Sequence, residues 1–200
     1  MDFRIIHKDS IASTNDLAFE RIDKGIASEG DVIWTDEQAK GRGYGLNRWE
    51  SEKGKNLTFS IILRPRFIDP AGQFVITQMI SLALIRFLRK YIDRDLKIKW
   101  PNDVYADNEK IAGILIQNIL AGNVIEFSVV GIGLNVNQEK FVSGAPNPVS
   151  MIRFTGAALS LEDLLGELLT YIGGMYKNLY SSAFIEELSA SYLDNLFRYR

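Results

Sequence analysis

Between Val104 and Ile132 the chain reads as three short apolar strands joined by two tight turns. Val104 to Ala106 reaches Asp107-Asn108-Glu109, Lys110 to Leu120 returns, and Ala121-Gly122-Asn123 leads into Val124 to Ile132. Turns this short cannot carry a crossover, so the three strands must be antiparallel neighbours. The preceding segments add strands at Phe3 to His7, Asp31 to Thr35, Asn56 to Leu63 and Leu96 to Trp100. Helical patterns occupy about Asp16 to Lys24, Pro70 to Tyr91, Leu161 to Tyr180 and Ala183 to Leu196. Ser13, Thr14 or Asn15 can cap the first helix, and Gly25 stops it. Together these predict one α+β domain with a mixed, largely antiparallel sheet and helices packed against it.

With 46% hydrophobic residues in a chain of 200, a sizeable core can be buried. A net charge of −2 gives no electrostatic footprint for nucleic acid, so any cationic function must be local. The absence of cysteine removes disulfides and thiolate metal sites, and it fits a reducing cytoplasm. No basic stretch followed by an apolar one opens the sequence, so no signal peptide is expected. The apolar run from Phe74 to Leu88 is broken by Thr77, Gln78, Ser81 and Arg86, as in a buried helix and not a membrane span. The single histidine, His7, builds no zinc site without clustered carboxylates, so it is read as a surface or satisfied residue. A nucleophile elbow, a P-loop and a dinucleotide fingerprint are all missing from the sequence.

Four polar clusters fall in loops or at strand ends. Ser13-Thr14-Asn15-Asp16 opens a helix, where free backbone N–H groups also suit a polar ligand. Gln38-Ala39-Lys40-Gly41-Arg42-Gly43-Tyr44-Gly45, continuing to Trp49, is either a basic surface hairpin or a loop that closes over an anion. Lys99-Trp100-Pro101-Asn102-Asp103 is turn chemistry carrying an Asn-Asp pair able to meet a phosphate-bound Mg²⁺. It leads to Lys110 and the strand containing Gly113. Gly131-Ile132-Gly133-Leu134-Asn135 reads as a bulged strand end or as a backbone surface for a nucleotide.

In this order the clusters closely resemble the biotin protein ligase family, whose catalytic domain has a fold like class II aminoacyl-tRNA synthetases. The matching residues are Ser13-Thr14-Asn15, Gln38 with Gly41-Arg42-Gly43 and Trp49, Lys99 to Asp103, Lys110 to Leu115, and Gly131 to Asn135. The resemblance implies that biotin and ATP, with Mg²⁺, give biotinyl-5′-AMP, and that a lysine of a biotin carboxyl carrier protein then takes the biotin. It implies biotin contacts for Ser13, Thr14, Asn15, Gln38, Gly41, Arg42, Gly43, Lys110 and Gly113. It implies nucleotide contacts for Arg42, Trp49, Asn102, Lys110 and Asn135. Lys110, Arg42 and Asp103 are the implied catalytic set, Asp103 orienting or deprotonating the incoming lysine. The metal ligands stay unassigned.

Two departures from the family pattern stand out. Tyr44 occupies the place where members often carry a second arginine, which bears on how tightly the adenylate is retained. Many members also continue into a small SH3-like barrel, whereas here Leu196 to Arg200 reads as its lead-in and then stops. The expectation is a catalytic domain over residues 1–200, with that barrel absent or cut off. No DNA or membrane partner is expected, and a homodimer is among the assemblies the resemblance allows. The rivals are a lipoate or octanoate ligase of the same fold and a biotin-binding sensor without catalysis.

Overall fold

The computed structural model describes residues 1–43, 45, 48–142 and 147–197. In chain order the elements are β1 (Arg4–Ile11), α1 (Thr14–Asp23), β2 (Asp31–Gln38), β3 (Leu57–Leu63), α2 (Phe74–Leu88), β4 (Leu96–Lys99), β5 (Asp103–Ala106), β6 (Glu109–Ala121), β7 (Val124–Leu134), α3 (Ile152–Thr155), α4 (Leu161–Tyr176) and α5 (Ser182–Asp194). The strands form one seven-stranded sheet in the order β1-β2-β3-β7-β6-β5-β4. Only β1 and β2 pair in parallel, and α1 is the crossover that a parallel pair requires. All other neighbours are antiparallel, including the β5-β6-β7 meander expected from its tight turns.

Alternation along β3 divides the sheet into two faces. Leu57, Phe59, Ile61 and Leu63 join the main core with α2, α4 and α5. Ile62 points the other way, into a small cluster with Ala18 of α1, Ile33 and Val129. Thr58 and Ser60 share its parity and therefore lie on the α1 face. α2 is buried along most of its length, from Val75 through Leu88, so its apolarity is that of a core helix.

The boundaries differ from the sequence expectation in instructive places. β2 runs on to Gln38 because β1 continues to pair with it, Ser10 opposite Glu37 and Ile11 opposite Gln38. The stretch from Pro70 begins as a 3₁₀ turn, Pro70–Gly72, and becomes α-helical only from Phe74. α4 stops at Tyr176, four residues early. The short α3 was not expected; Gly156, at φ +72, ends it in the left-handed conformation. Beyond α5, Ile98 N–H donates to Asn195 O and Phe197 N–H to Ile98 O, laying the chain along the exposed edge of β4. Arg198 to Arg200, the last part of the segment expected to lead into a barrel, lie outside the described residues.

Candidate active site

A cleft of about 280 Å³ opens on the α1 face, at the ends of β2, β3, β6 and β7. Its polar floor comes from the first turn of α1. Ser13 Oγ accepts the Asp16 N–H and so performs the capping, which leaves Thr14 and Asn15 to face the sheet. Gln38 Oε1 accepts both the Thr14 N–H, at 2.7 Å, and the Thr14 hydroxyl, at 3.1 Å. Ser60 Oγ lies 2.7 Å from Thr14 Oγ1 and 2.6 Å from Asn15 Oδ1. Asn15 Nδ2 donates to Gln117 Oε1 at 2.9 Å. Each hydroxyl carries one proton, so Thr14 and Ser60 have two between them for the contacts Thr14–Gln38, Thr14–Ser60 and Ser60–Asn15. The floor is therefore acceptor-rich.

Glycines make room for what rests on that floor. A β-carbon at Gly131 would stand 2.4 Å from Asn15 Oδ1, and one at Gly133 only 2.2 Å from the Trp49 ring. In register, Thr58, Gly133 and Gly113 line up across β3, β7 and β6, with Ser60, Gly131 and Leu115 in the next rank. The glycine-rich end of β7 thus accommodates two protein side chains, and the nucleotide surface read from the sequence is covered by the indole of Trp49.

The two described ends of the basic loop pair with each other. Trp49 N–H donates to Gly41 O, and Arg42 bridges Arg48 in antiparallel fashion. Gly41 is required where the strands meet, since a β-carbon there would lie 2.5 Å from Trp49 O. Arg42 Nη2 reaches Asp16 Oδ1 at 3.1 Å, with the side chains 56% and 39% exposed. Tyr44, and with it the question of the second arginine, lies outside the described residues.

On the opposite wall Lys110 Nζ sits 2.7 Å from Asp103 Oδ1 and 5.7 Å from the centre of the Trp49 ring. Lys110 is held from behind. Its N–H donates to Asn147 O, and its carbonyl accepts the Val149 N–H. Asn102 clamps its turn to β6, its Nδ2 donating to Ile114 O and its carbonyl accepting the Ile114 N–H. Lys99 Nζ donates to Tyr105 Oη at 3.1 Å, and Trp100 stands 69% exposed at the rim. Among the described lining residues, four cations (Arg42, Arg48, Lys99 and Lys110) face one carboxylate, Asp103. Such a lining suits a polyanion.

Ser13, Thr14, Asn15, Gln38, Arg42, Gly43, Trp49, Asn102, Asp103, Lys110 and Gly113 thus line one cleft. Two expected site residues do not. Gly41 is packed beneath Trp49, and Asn135 is buried past the end of β7, donating through Nδ2 to Val149 O at 3.0 Å. Asn135 belongs to the strap behind Lys110. Sequence reasoning missed Arg48, Thr58, Ser60 and Gln117, and gave Asp16 no role of its own. For Thr58 and Ser60 a signal existed, because polar residues alternating with Leu57, Phe59 and Ile61 in a central strand mark a face that must be satisfied.

The model of the biotin/lipoate A/B protein ligase family matches residues 8–135. The chain belongs to that family. Among similar members, the bifunctional ligase/repressor BirA of Bacillus spizizenii is 31% identical over 140 residues, which are 70% of this chain and 42% of that protein. The biotin–[acetyl-CoA-carboxylase] ligase of Paracoccus denitrificans is 32% identical over 138 residues, 64% of this chain and 55% of that one. This family member therefore spans only about half the length of these two relatives. The fold resembles that of the biotin protein ligase from Aquifex aeolicus in complex with biotin and ATP, with a TM-score of 0.81 and 25% identity over 96% of this chain and 78% of that chain.

Proposed function

We propose that this chain is the catalytic domain of a cytoplasmic biotin protein ligase. It joins biotin to ATP and passes the biotin to a lysine of a carboxyl carrier protein. The observation that carries this reading is an acceptor-rich floor of Thr14, Ser60, Asn15 and Gln38 beneath a cationic lining. A cyclic urea brings N–H donors, which complete the hydrogen bonding that the floor's own protons leave short. The alkyl chain of lipoate or octanoate would leave those oxygens desolvated without partners, which disfavours the same-fold rival.

In the first step a biotin carboxylate oxygen attacks the α-phosphorus of ATP, and the bond to pyrophosphate breaks. Two anions must meet, and Lys110 and Arg42 offset their repulsion in a cleft where charge is poorly screened. Arg42 is available for this. Its exposed bond to Asp16 contributes no more than about 1 kcal/mol, so a phosphate in the cleft displaces it. Asp103, the one carboxylate among the described lining residues, would help to hold a Mg²⁺ ion there. The ion would supply further neutralisation of the phosphate charge. In the second step the carrier amine attacks the acyl carbon and AMP leaves, with Asp103 as the proposed acceptor of the amine proton.

The test is avidin detection of an isolated biotin carrier domain after incubation with biotin, ATP and Mg²⁺. Labelling by the wild-type chain, and its loss in Lys110→Ala and Arg42→Ala, is the expected result. Tight biotin binding with no labelling would favour the sensor reading.

A further inference from the structure

A lone histidine builds a metal site only if carboxylates gather around it, and here the parallel β1–β2 pair gathers them. His7 pairs in register with Trp34, and Lys8 and Ser10 pair with Thr35 and Glu37, which sets Asp9 beside Asp36. His7 and Asp9, two apart in a strand, emerge on one face. The ligand atoms of His7, Asp9 and Asp36 all lie within 4.8 Å of one another, and His7 Nε2 is already 3.0 Å from Asp36 Oδ1. The imidazole is held against the Trp34 ring, with centroids 4.4 Å apart.

We propose that His7, Asp9 and Asp36 form a surface site for a borderline divalent transition-metal ion such as Zn²⁺, which fastens β1 to β2. One imidazole and two carboxylates are a donor set that zinc accepts, with water completing the tetrahedron. Ligand atoms about 2.1 Å from zinc in a tetrahedron stand about 3.4 Å apart. The His7–Asp36 distance of 3.0 Å and the 4.8 Å limit on the others bracket that value, so small side-chain rotations of the exposed His7 and Asp9 would close the site. The placement gives the site a consequence. Asp36 is two residues before Gln38, and β1 leads from Ile11 directly to Ser13 and Thr14. A bound ion would stiffen the two strands that deliver the Thr14–Gln38 bond to the cleft floor.

Because His7 is the sole histidine, its ring signals need no assignment. The experiment titrates Zn²⁺ into the whole chain labelled with ¹⁵N-histidine, with calorimetry and melting run alongside. The expected result is saturable one-to-one binding, a shift of the imidazole nitrogens and a raised melting midpoint. Asp36→Asn should abolish all three, and His7→Ala the binding and the raised midpoint, without altering the fold, since these side chains are 30% and 39% exposed. Imidazole signals unmoved by millimolar zinc, or equal binding by wild type and His7→Ala, would overturn the proposal.

Discussion

Replacing Gly131 with alanine tests how the cleft floor is built. The new methyl would stand 2.4 Å from Asn15 Oδ1, 3.1 Å from its Cγ and 3.2 Å from the Leu115 carbonyl. The backbone of two paired strands cannot yield, so Asn15 must swing away. It then gives up the bond to Gln117 at 2.9 Å and the one from Ser60 at 2.6 Å, both partly or fully buried. Each buried polar group left without a partner costs about 1–3 kcal/mol, so two such losses are expected to cost about 2–6 kcal/mol. Urea unfolding measures it, and biotin titration calorimetry should show weakened binding in the same variant. The decisive comparison uses Asn15→Ala as background, where the methyl has room. There Gly131→Ala should cost less than in the wild type by about 1 kcal/mol or more, the signature of coupled neighbours. Simple additivity of the two substitutions would refute the steric reasoning.

Other regions give independent tests. Tyr192 is 2% exposed, its hydroxyl finds no hydrogen-bond partner among the described residues, and burial pushes its pKa up to about 12. Tyr192→Phe should therefore raise stability by about 1 kcal/mol, read as a higher melting midpoint. Asp31, 1% exposed, accepts bonds from Arg4, Arg21 and the Ser28 N–H. Burial works to raise its pKa, but the Arg4 and Ser28 bonds, the Arg4 charge and Arg21 outweigh it and hold the pKa below the ordinary value. Its contribution is thus fully present above the unfolded carboxylate's pKa of about 3.9 and is lost as pH falls through the lower folded value. Asp31→Ala should cost about 2–3 kcal/mol at pH 7 and progressively less in acid, followed by denaturant titration across pH.

What the sequence carried plainly was local. Tight turns at Asp107-Asn108 and Gly122 dictated the meander, and the Ser13-Thr14-Asn15 run marked the start of α1, with Ser13 proving to be the cap. The motif residues Lys99 to Asp103, Lys110 and Arg42 were legible as chemistry because turns alone do not require them. What stayed hidden depends on contacts between distant segments. Nothing near Gly133 announces that Trp49 will lie on it, and Asp16 looks like an ordinary first-turn acid until the basic loop brings Arg42 alongside. The packing of Asn135 was hidden for the same reason. An asparagine after a glycine-rich strand end looks ligand-facing, yet the 147–149 strap folds over it. The metal triad required the parallel register of β1 and β2, which no spacing within either strand reveals.

The central claim, that this cleft joins biotin to ATP, is tested most directly by biotin-dependent exchange of labelled pyrophosphate into ATP with no carrier present. Exchange that requires biotin, ignores lipoate and disappears in Lys110→Ala is the predicted result. Exchange driven by lipoate instead, or none despite tight biotin binding, would contradict it.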